Sequence, residues 1–337
     1  MKICVYGAGA MGGFIGVLLA RAGHDVSFVA RGAHLAAMRS DGARLLIDGQ
    51  ELVERVRCTD DARELGHQDF VLITMKAHSV PAAVDSIVPL LGPDTAIVTG
   101  VNGIPYWYFH RQGSELDGIT LESIDPGGRQ MRLLGPERAI GCVLNPAADL
   151  VAPGVIRHVH GRKFPIGEPG GERTRRIEQL HQAMQDAGLE APIRSDIRDE
   201  IWLKLWGNLS FNPISALTHA TLVDLCQYPL TRELAAQMMM EAQAVANKLG
   251  IEFRVPLEKR IAGAEKVGKH KTSTLQDVEH GRGLELDALI GAVIELGKLT
   301  QTPTPHIEAV YALTKLLDKT LGEEHGRLRI EKLAGAA

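Results

Sequence analysis

The sequence lacks features that are typical of several protein classes. No apolar run reaches the roughly 18 residues that span a bilayer, so we predict no contact with a membrane. No block of basic residues is present, and 37 Lys and Arg against 41 Asp and Glu give a formal net charge of −4. This balance offers no electrostatic footprint for nucleic acid or an anionic membrane surface. The opening residues run directly into a strand-like stretch, without the parts of a signal peptide.

Cysteine is also scarce, and its spacing excludes two common scaffolds. The cysteines are Cys4, Cys58, Cys142 and Cys226. Because none of them forms a C-x-x-C pair, the pattern argues against a disulfide framework and a zinc ribbon, and we expect a reducing, cytoplasmic compartment. His158 and His160 share one face of a predicted strand, but no third ligand has suitable spacing nearby, so we predict no metal site.

The chain has an ordinary globular composition, and its pattern changes near residue 195. Its 337 residues, 45% hydrophobic and 23% charged, are enough for two domains. Predicted strands are 2–6, 25–30, 70–74, 96–99, 139–144, 155–160, 163–166 and 191–193, with helices at 11–22, 80–90 and 173–187. Residues 103–136 are predicted to form a helix and then a long excursion of unpredicted form. Helices follow at 198–211, 230–249, 257–267, 283–299 and 305–320.

This order of elements predicts the fold class. Alternating strands and helices are typical of a parallel sheet covered by helices. We therefore predict an α/β Rossmann-type, nucleotide-binding domain over residues 1–195 and an all-α, substrate-binding and catalytic domain over residues 196–337.

A glycine-rich turn follows the first predicted strand. Its residues are Gly7, Ala8, Gly9, Ala10, Met11 and Gly12, which form a G-x-G-x-x-G. Gly7 permits a tight turn, Gly9 lets the backbone approach a pyrophosphate, and Gly12 allows helix and strand to pack closely. The N-terminus of the next helix offers free N–H groups and the positive end of its dipole to phosphates. Because a strand, the turn, a helix and a second strand follow in the order and spacing of a βαβ unit, we predict a dinucleotide site rather than a purely structural turn.

The end of the second strand predicts which dinucleotide binds. An NAD enzyme usually carries a carboxylate there for the ribose 2′-hydroxyl. This strand ends in Val29-Ala30-Arg31, and no carboxylate follows before Asp41. Arg31 is suited to stack on the adenine and to pair with a 2′-phosphate, so NADP(H) is the predicted cofactor. The alternative is that Arg31 is merely a solvated residue at a strand end.

Two polar residues directly follow later strands. Lys76 lies in ITMKA and Asn102 in TGVNG. Ligands of open α/β sheets bind beyond the carboxyl ends of the strands, so both residues are candidate cofactor-binding groups. Otherwise they are ordinary loop residues.

The stretch after residue 196 carries the most informative spacing. Lys204, Asn208 and Asn212 lie at i, i+4 and i+8, along one face of a predicted helix. The large apolar residues around them are Trp202, Leu205, Trp206, Leu209 and Phe211. Such surroundings would desolvate the lysine and lower its pKa, which would make Lys204 a usable proton donor near neutral pH. The alternative is a polar surface stripe on an amphipathic helix.

Several segments carry a family resemblance over nearly the whole chain. They are MKICVYGAGAMG, TMKA, VNG, IRDEIWLKLWGN and FNPISALT. Residues 271–287, KTSTLQDVEHGRGLELD, are similar to an S-x-LQD-x4-R-x2-E-I-D signature. Together, in this order, they resemble the ketopantoate reductase (2-dehydropantoate 2-reductase) family. The resemblance implies NADPH-dependent reduction of a 2-keto acid to a 2-hydroxy acid, either 2-dehydropantoate to pantoate in pantothenate biosynthesis or a close analogue.

The resemblance also implies roles for individual residues. Lys204 matches the family's proton donor to the keto oxygen, and it contacts the substrate. Glu285 matches the acid near the nicotinamide ribose and the catalytic lysine. Asn208 and Asn212 match amides that hold the substrate's oxygens, and Ser273 matches the hydroxyl that receives its carboxylate. From the residues alone, Ser273 would be interpreted as a helix N-cap and Glu285 as a solvated helical charge.

On the Rossmann side, the resemblance makes Lys76 and Asn102 contacts to cofactor and substrate. It implies that hydride passes from NADPH to the carbonyl carbon across a cleft between the domains. Lys204 would stabilise and protonate the developing alkoxide, an interaction that strengthens only in the transition state.

The sequence departs from the family pattern in three places. The stretch between Asn102 and the strand near Cys142 is longer than in compact members. A further substrate amide of the family has no counterpart in residues 219–224. The usual T-E-I-D-x3-N-G reads LELDALIG at residues 284–291, which loses one Thr and one Asn. The lysine chemistry survives these changes, and the identity of the keto acid stays open.

Two other functions remain open at this point. One is a 3-hydroxy acid or sugar acid dehydrogenase of similar architecture. Residues 271–287 argue against it, because they resemble the signature of the ketopantoate reductase family. The other is a non-catalytic NADP-sensing protein, against which the joint presence of Lys204, Asn208, Ser273 and Glu285 speaks. The sequence leaves open whether the chain forms a homodimer and what residues 103–136 do.

Overall fold

The computed structural model describes residues 1–331 and divides into two compact units, Met1–Glu200 and a second that begins at Ile201. The strands are β1 (Lys2–Tyr6), β2 (Asp25–Val29), β3 (Ala43–Ile47), β4 (Gln50–Glu54), β5 (Arg57–Thr59), β6 (Gln68–Ile73), β7 (Leu91–Thr99), β8 (Ala139–Cys142), β9 (Ala147–Ala152), β10 (Val155–His160) and β11 (Ile166–Gly167). The helices of the first unit are α1 (Ala10–Arg21), α2 (Gly32–Asp41), α3 (Val80–Ile87), α4 (Arg129–Leu133) and α5 (Arg175–Asp186).

Helices make up the regular structure that follows. They are α6 (Ile197–Thr218), α7 (Leu222–Gln227), α8 (Pro229–Lys248), α9 (Leu257–Lys266), α10 (Ser273–His280), α11 (Ala292–Leu299) and α12 (Pro305–Glu323). An α/β unit followed by a helical one is the predicted fold class, which is confirmed. Among residues 1–331, no helix combines the length and the apolar character needed to cross a bilayer.

The larger sheet has the strand order β11-β8-β7-β6-β1-β2-β5. All neighbours are parallel except β11, which is antiparallel to β8. The chain runs outward from β1 through β2 to β5, then returns to β6 beside β1 and continues to β8. This is the order of a doubly wound dinucleotide-binding sheet, in which ligands bind where the winding reverses, beyond the carboxyl ends of the strands.

A second sheet, with the order β4-β3-β10-β9, is a feature that we did not predict. Its first hairpin turns at Asp48 (φ 50°) and Gly49 (φ 73°), between the paired residues Ile47 and Gln50. Positive φ at both central residues is typical of a type I′ turn, for which Asp-Gly is a strong signal. The sheet packs on α1, where a Cβ at Gly13 would lie 2.6 Å from the Ile156 side chain.

The helix predicted after Gly103 is wrong, because this stretch folds into successive turns. Its aromatic residues, Tyr106, Trp107, Tyr108 and Phe109, are all at most 5% exposed. Four consecutive residues point to nearly all sides of an α-helix, so a helix against one surface could not bury them together. Arg198 holds the turns by donating from Nε to Tyr108 O (2.8 Å) and from Nη2 to His110 O (2.7 Å).

Three other predicted elements differ from the structure. The strand predicted at 163–166 is reduced to an isolated bridge at Lys163 and to the first residue of β11. Residues 191–193 form only an isolated bridge, between Ile193 and Ile166. The predicted helix 283–299 is interrupted: a π-helical turn, Asp287–Gly291, precedes α11. Helix α10 lies before it and ends at Gly281, whose left-handed conformation (φ 65°) is the usual glycine C-cap.

Candidate active site

The glycine-rich turn lies between the carboxyl end of β1 and the N-terminus of α1. Gly7 has φ +102°, and a Cβ there would lie 2.8 Å from the backbone nitrogen of Met75. A Cβ at Gly12 would overlap the Gly7 carbonyl oxygen and the Thr74 hydroxyl. At Gly9 a Cβ would meet nothing within 4 Å. Gly7 and Gly12 are therefore required by the turn itself, whereas Gly9 borders open space from which a ligand could approach the backbone.

The N-terminus of α1 suits a phosphate group. Gly9 is its N-cap, and no side chain forms a capping hydrogen bond there. The first intrahelical bond runs from the Gly13 N–H to Gly9 O (2.7 Å), so the preceding helical N–H groups of Ala10, Met11 and Gly12 have no acceptor within the helix. Unsatisfied N–H groups at the positive end of a helix dipole are the usual protein contacts of a pyrophosphate. The residues present therefore fit a dinucleotide.

His34, which sequence reasoning missed, fixes one carbonyl of this turn. The Gly154 N–H donates to His34 Nδ1 (2.8 Å), which places the imidazole proton on Nε2. That N–H donates to Ala8 O at 2.5 Å. His34 thus bridges the turn to the β9–β10 hairpin. Its spacing gave no signal, because the role depends on α2 and on the β9–β10 hairpin, and neither α2 nor β9 was predicted.

Arg31 lies at the N-cap of α2 with an extended backbone (φ −138°, ψ 160°) and an exposed side chain. Its position is just beyond the carboxyl end of β2, the neighbour of β1. The backbone of Arg31 therefore lies at the same edge of the sheet as the glycine-rich turn.

Lys76 and Asn102 each follow the carboxyl end of a central strand by three residues. Lys76 follows β6, and Asn102 follows β7. The Thr74 N–H bonds to Tyr6 O (3.0 Å), and the Gly100 N–H bonds to Ile73 O (2.9 Å), so β1, β6 and β7 end level with one another. Lys76 directly follows Met75, the residue that contacts Gly7. Both Lys76 and Asn102 are partly buried.

In the helical unit, α6 carries Lys204, Asn208 and Asn212 on one continuous helix. Lys204 and Asn208 are partly buried, and Asn212 is 6% exposed. Five large apolar neighbours are at most 2% exposed: Trp202, Leu205, Trp206, Leu209 and Phe211. The alternative interpretation of these three residues as a solvated surface stripe is therefore wrong. The helix runs past its predicted end at residue 211, because it accommodates Pro213 in its interior.

Ser273 lies beside the end of this row of amides. Asn212 Nδ2 donates to Ser273 Oγ at 3.4 Å. The interpretation of Ser273 as an N-cap is wrong: Thr272 is the cap, and its hydroxyl accepts from the Leu275 N–H at 3.2 Å. Ser273 is instead the first helical residue and is exposed. Two of the predicted substrate residues, distant in sequence, are thus in contact.

Glu285 is only 5% exposed, so its interpretation as a solvated charge is wrong. In the sequence it lies between Leu284 and Asp287, and each of these two residues forms a hydrogen bond with a side chain of α12. The Leu284 N–H donates to Asp318 Oδ1 (3.0 Å), and Lys315 Nζ donates to Asp287 Oδ2 (3.1 Å). The segment that carries Glu285 is therefore fixed on both sides.

Tyr311 completes this attachment of the Glu285 segment to α12. Its hydroxyl donates to Asp287 Oδ1 at 2.5 Å. Burial, and then the hydrogen bond to Asp287, raise the pKa of Tyr311, so the phenol remains a donor at neutral pH. Tyr311, Lys315 and Asp318 lie at i, i+4 and i+7, one face of α12. A π-helical turn at Asp287–Gly291, as found here, often marks a functional site.

The metal-binding candidates have other contacts. His158 stacks on Phe14 with ring centroids 4.8 Å apart, and its Nε2 bonds to Gly161 O. The cysteines are buried thiols, and burial raises the pKa of Cys4 to about 12. Within residues 1–331, no group of three or more His, Cys, Asp or Glu side chains is arranged to hold a metal ion.

Comparison with protein families gives two matches. The family Ketopantoate reductase PanE/ApbA matches residues 3–171, and Ketopantoate reductase PanE/ApbA C terminal matches residues 196–318. A 2-dehydropantoate 2-reductase of Mesorhizobium japonicum is 54% identical over 318 residues, which cover 94% of this chain and 98% of that protein.

Solved structures agree with the family matches. A Ralstonia solanacearum protein described as a ketopantoate reductase has a TM-score of 0.91 and 38% identity, and the match covers 95% of this chain and 98% of that one. A D-mandelate dehydrogenase in a ternary structure with NADH and anilino(oxo)acetate has a TM-score of 0.81 at 21% identity, with coverage of 95% and 99%. The second likeness shows a shared fold.

Proposed function

Since the chain belongs to the ketopantoate reductase family, as its sequence predicted, we propose that it reduces a 2-keto acid to a 2-hydroxy acid with NADPH, 2-dehydropantoate being the preferred substrate. The observation that carries this proposal is the 54% identity to a 2-dehydropantoate 2-reductase across 94% of the chain. The coexistence of a phosphate-binding turn and a helix bearing Lys204, Asn208 and Asn212 supports it.

In the proposed mechanism the bound reduced nicotinamide supplies the hydride. Lys204 donates a proton to the keto oxygen, where negative charge develops only as the carbonyl is reduced. A cation fixed there stabilises the transition state more than the ground state, which raises kcat. Asn208, Asn212 and Ser273 orient the substrate's oxygens, and the contact between Asn212 and Ser273 supports their acting together. Glu285 acts beside the lysine and the nicotinamide ribose.

The nucleotide is held by the glycine-rich turn and the strand ends. Backbone N–H groups at the start of α1 bind the pyrophosphate, while Lys76 and Asn102 contact the cofactor, and Asn102 also the substrate. We propose NADPH rather than NADH because Arg31 occupies the place where a carboxylate would select the ribose 2′-hydroxyl. A dehydrogenase that shares this fold at 21% identity is described in a structure with NADH, so the fold by itself does not select the nucleotide and the proposal depends on Arg31.

The test is a steady-state assay of the full chain with a panel of branched 2-keto acids, each with NADPH and with NADH. We expect 2-dehydropantoate to give the highest kcat/KM, and NADPH to be preferred. Equal use of the two nucleotides would contradict the cofactor assignment alone. Failure to oxidise either nucleotide with any acid of the panel would contradict the proposed reaction.

A further inference from the structure

Arg260, a residue of α9, lies directly against the backbone of α6. A Cβ built on Gly207 would overlap Arg260 Nη2 and would lie 3.0 Å from Cζ and 3.4 Å from Nε. The whole guanidinium plane therefore occupies the space that any side chain at position 207 would fill. Glycine at this point of α6 admits the arginine.

The guanidinium group lies against a residue of α6 that neighbours the residues proposed to bind the substrate. Gly207 immediately precedes Asn208 and lies three residues after Lys204. Residues three apart on a helix are surface neighbours, roughly 5–6 Å apart at Cβ. Arg260 thus lies on the flank of the α6 face that carries Lys204 and Asn208, although 52 positions separate it from Asn208 in the sequence.

The charge of Arg260 is not compensated within the described part of the chain. Its Nε is buried, and no described residue accepts a hydrogen bond from it. The carboxylates of Glu258 and Glu265, on the same helix, pair instead with Arg232, at 2.7 Å and 3.9 Å. Burial lowers the pKa of Arg260, which nevertheless stays protonated at neutral pH. A half-buried cation without a partner is costly, so an anion would bind there favourably.

We propose that Arg260 recognises the carboxylate of the 2-keto acid, an inference that rests on the proposed function. The planar guanidinium fork matches a carboxylate with two parallel hydrogen bonds. In a 2-keto acid the carboxylate is bonded to the carbon that carries the keto oxygen, so the cation that binds it must lie near Lys204. Ser273, to which the family resemblance assigns the carboxylate, is a neutral hydroxyl and leaves the negative charge unmatched. Arg260 supplies the positive charge that matches the carboxylate. It also compensates for the further substrate amide of the family, which has no counterpart in residues 219–224.

The test compares an acid with its neutral counterpart, by binding. Oxamate, a 2-keto acid mimic that is not reduced, and oxamide, its uncharged amide, are titrated by calorimetry into the NADPH-saturated full chain. We expect oxamate to bind the wild type, and Arg260→Gln to weaken it roughly 10- to 100-fold, as loss of a charge-assisted hydrogen bond does. Oxamide binding should not change. Arg260→Lys, which keeps the charge, should retain part of the affinity. Lys259→Gln, which removes an exposed cation of the same helix, is the matched control with no expected effect.

Each result decides the inference independently of turnover. Equal oxamate affinity in the wild type and Arg260→Gln, a parallel loss of oxamate and oxamide, or no oxamate binding to the wild type overturns the role of Arg260. If the Gln variant does not fold, as judged by its thermal unfolding, the Lys variant is compared in the same way. Failure of the proposed function is different: the wild type would then reduce no 2-keto acid in the assay above, whatever the oxamate titration shows.

Discussion

The two units carry their candidate functional residues in different ways. In the first unit, the glycine-rich turn is built from backbone: Gly7 and Gly12 are required by contacts with Met75 and Thr74, and we propose that backbone N–H groups recognise the phosphates. Such a site needs only glycines at fixed spacing, so it can be read from a short stretch of sequence.

In the helical unit, the candidate site is built from side chains on separate helices. Lys204 lies on α6, Arg260 on α9 and Ser273 on α10, while Glu285 is held through contacts with α12. Only the residues within α6 have a spacing that reveals a shared face. The comparison indicates that backbone sites are predictable locally, whereas side-chain sites depend on packing between elements.

Loss of Lys204 should have the largest effect. Lys204→Ala should lower kcat by roughly 10²–10⁴-fold, the range for removing a general acid. The KM for NADPH should change little if the nucleotide is held by the first unit. Lys204→Arg should restore little, since arginine does not release its proton. Steady-state kinetics check this, and near-normal turnover of the Ala variant would reduce Lys204 to a charge on a helix face.

A pair of glycine variants tests the backbone site. Gly12→Ala places a methyl group on the Gly7 carbonyl and should destabilise the fold by about 1–3 kcal/mol, measured by denaturant unfolding. Gly9→Ala meets no described atom within 4 Å, so stability should be retained while NADPH affinity falls roughly tenfold or more. Unchanged nucleotide affinity in a stable Gly9→Ala variant would argue that the turn is purely structural.

Cofactor selection should show a moderate effect. Arg31→Ala should raise the KM for NADPH about tenfold, because a charge-assisted contact to the 2′-phosphate is lost, and leave that for NADH nearly unchanged. Arg39→Ala, another exposed arginine of the same helix, is the control. Parallel changes in both KM values would show that Arg31 does not discriminate between the nucleotides.

The smallest effect concerns the attachment of the Glu285 segment to α12. Tyr311→Phe removes the hydrogen bond to Asp287 and should cost about 1 kcal/mol of unfolding free energy. If Asp287 positions Glu285, kcat should also fall a few-fold with the KM for NADPH unchanged. Tyr228→Phe alters a tyrosine that is 58% exposed and should do neither. An unfolding cost without any change in kcat would leave Tyr311 a purely structural role.

Strong local patterns predicted much of the fold. Strands β1 and β10 have the predicted bounds, and the helix with Lys204 begins within one residue of its prediction. Asp48-Gly49 is a recognisable signal for a hairpin turn, although no hairpin was predicted there.

Other features had no local signal. The aromatic residues after Pro105 are buried together in turns that Arg198, on a helix distant in sequence, holds by hydrogen bonds. Their continuous apolar run led to the wrong prediction of a helix. His34 contacts Ala8, and Arg260 contacts Gly207, only after the chain has folded. Their roles depend on tertiary packing, which spacing along one helix or strand does not record.

The central claim, hydride transfer to a 2-keto acid, is tested most directly with isotope-labelled cofactor. The full chain is incubated with 2-dehydropantoate and NADPH that carries deuterium in both positions at C4 of the nicotinamide, and the product is analysed by mass spectrometry and proton NMR. The account predicts one deuterium at C2 of the 2-hydroxy acid for each NADPH oxidised. Oxidation of NADPH without deuterium at C2, or no oxidation at all, would contradict it.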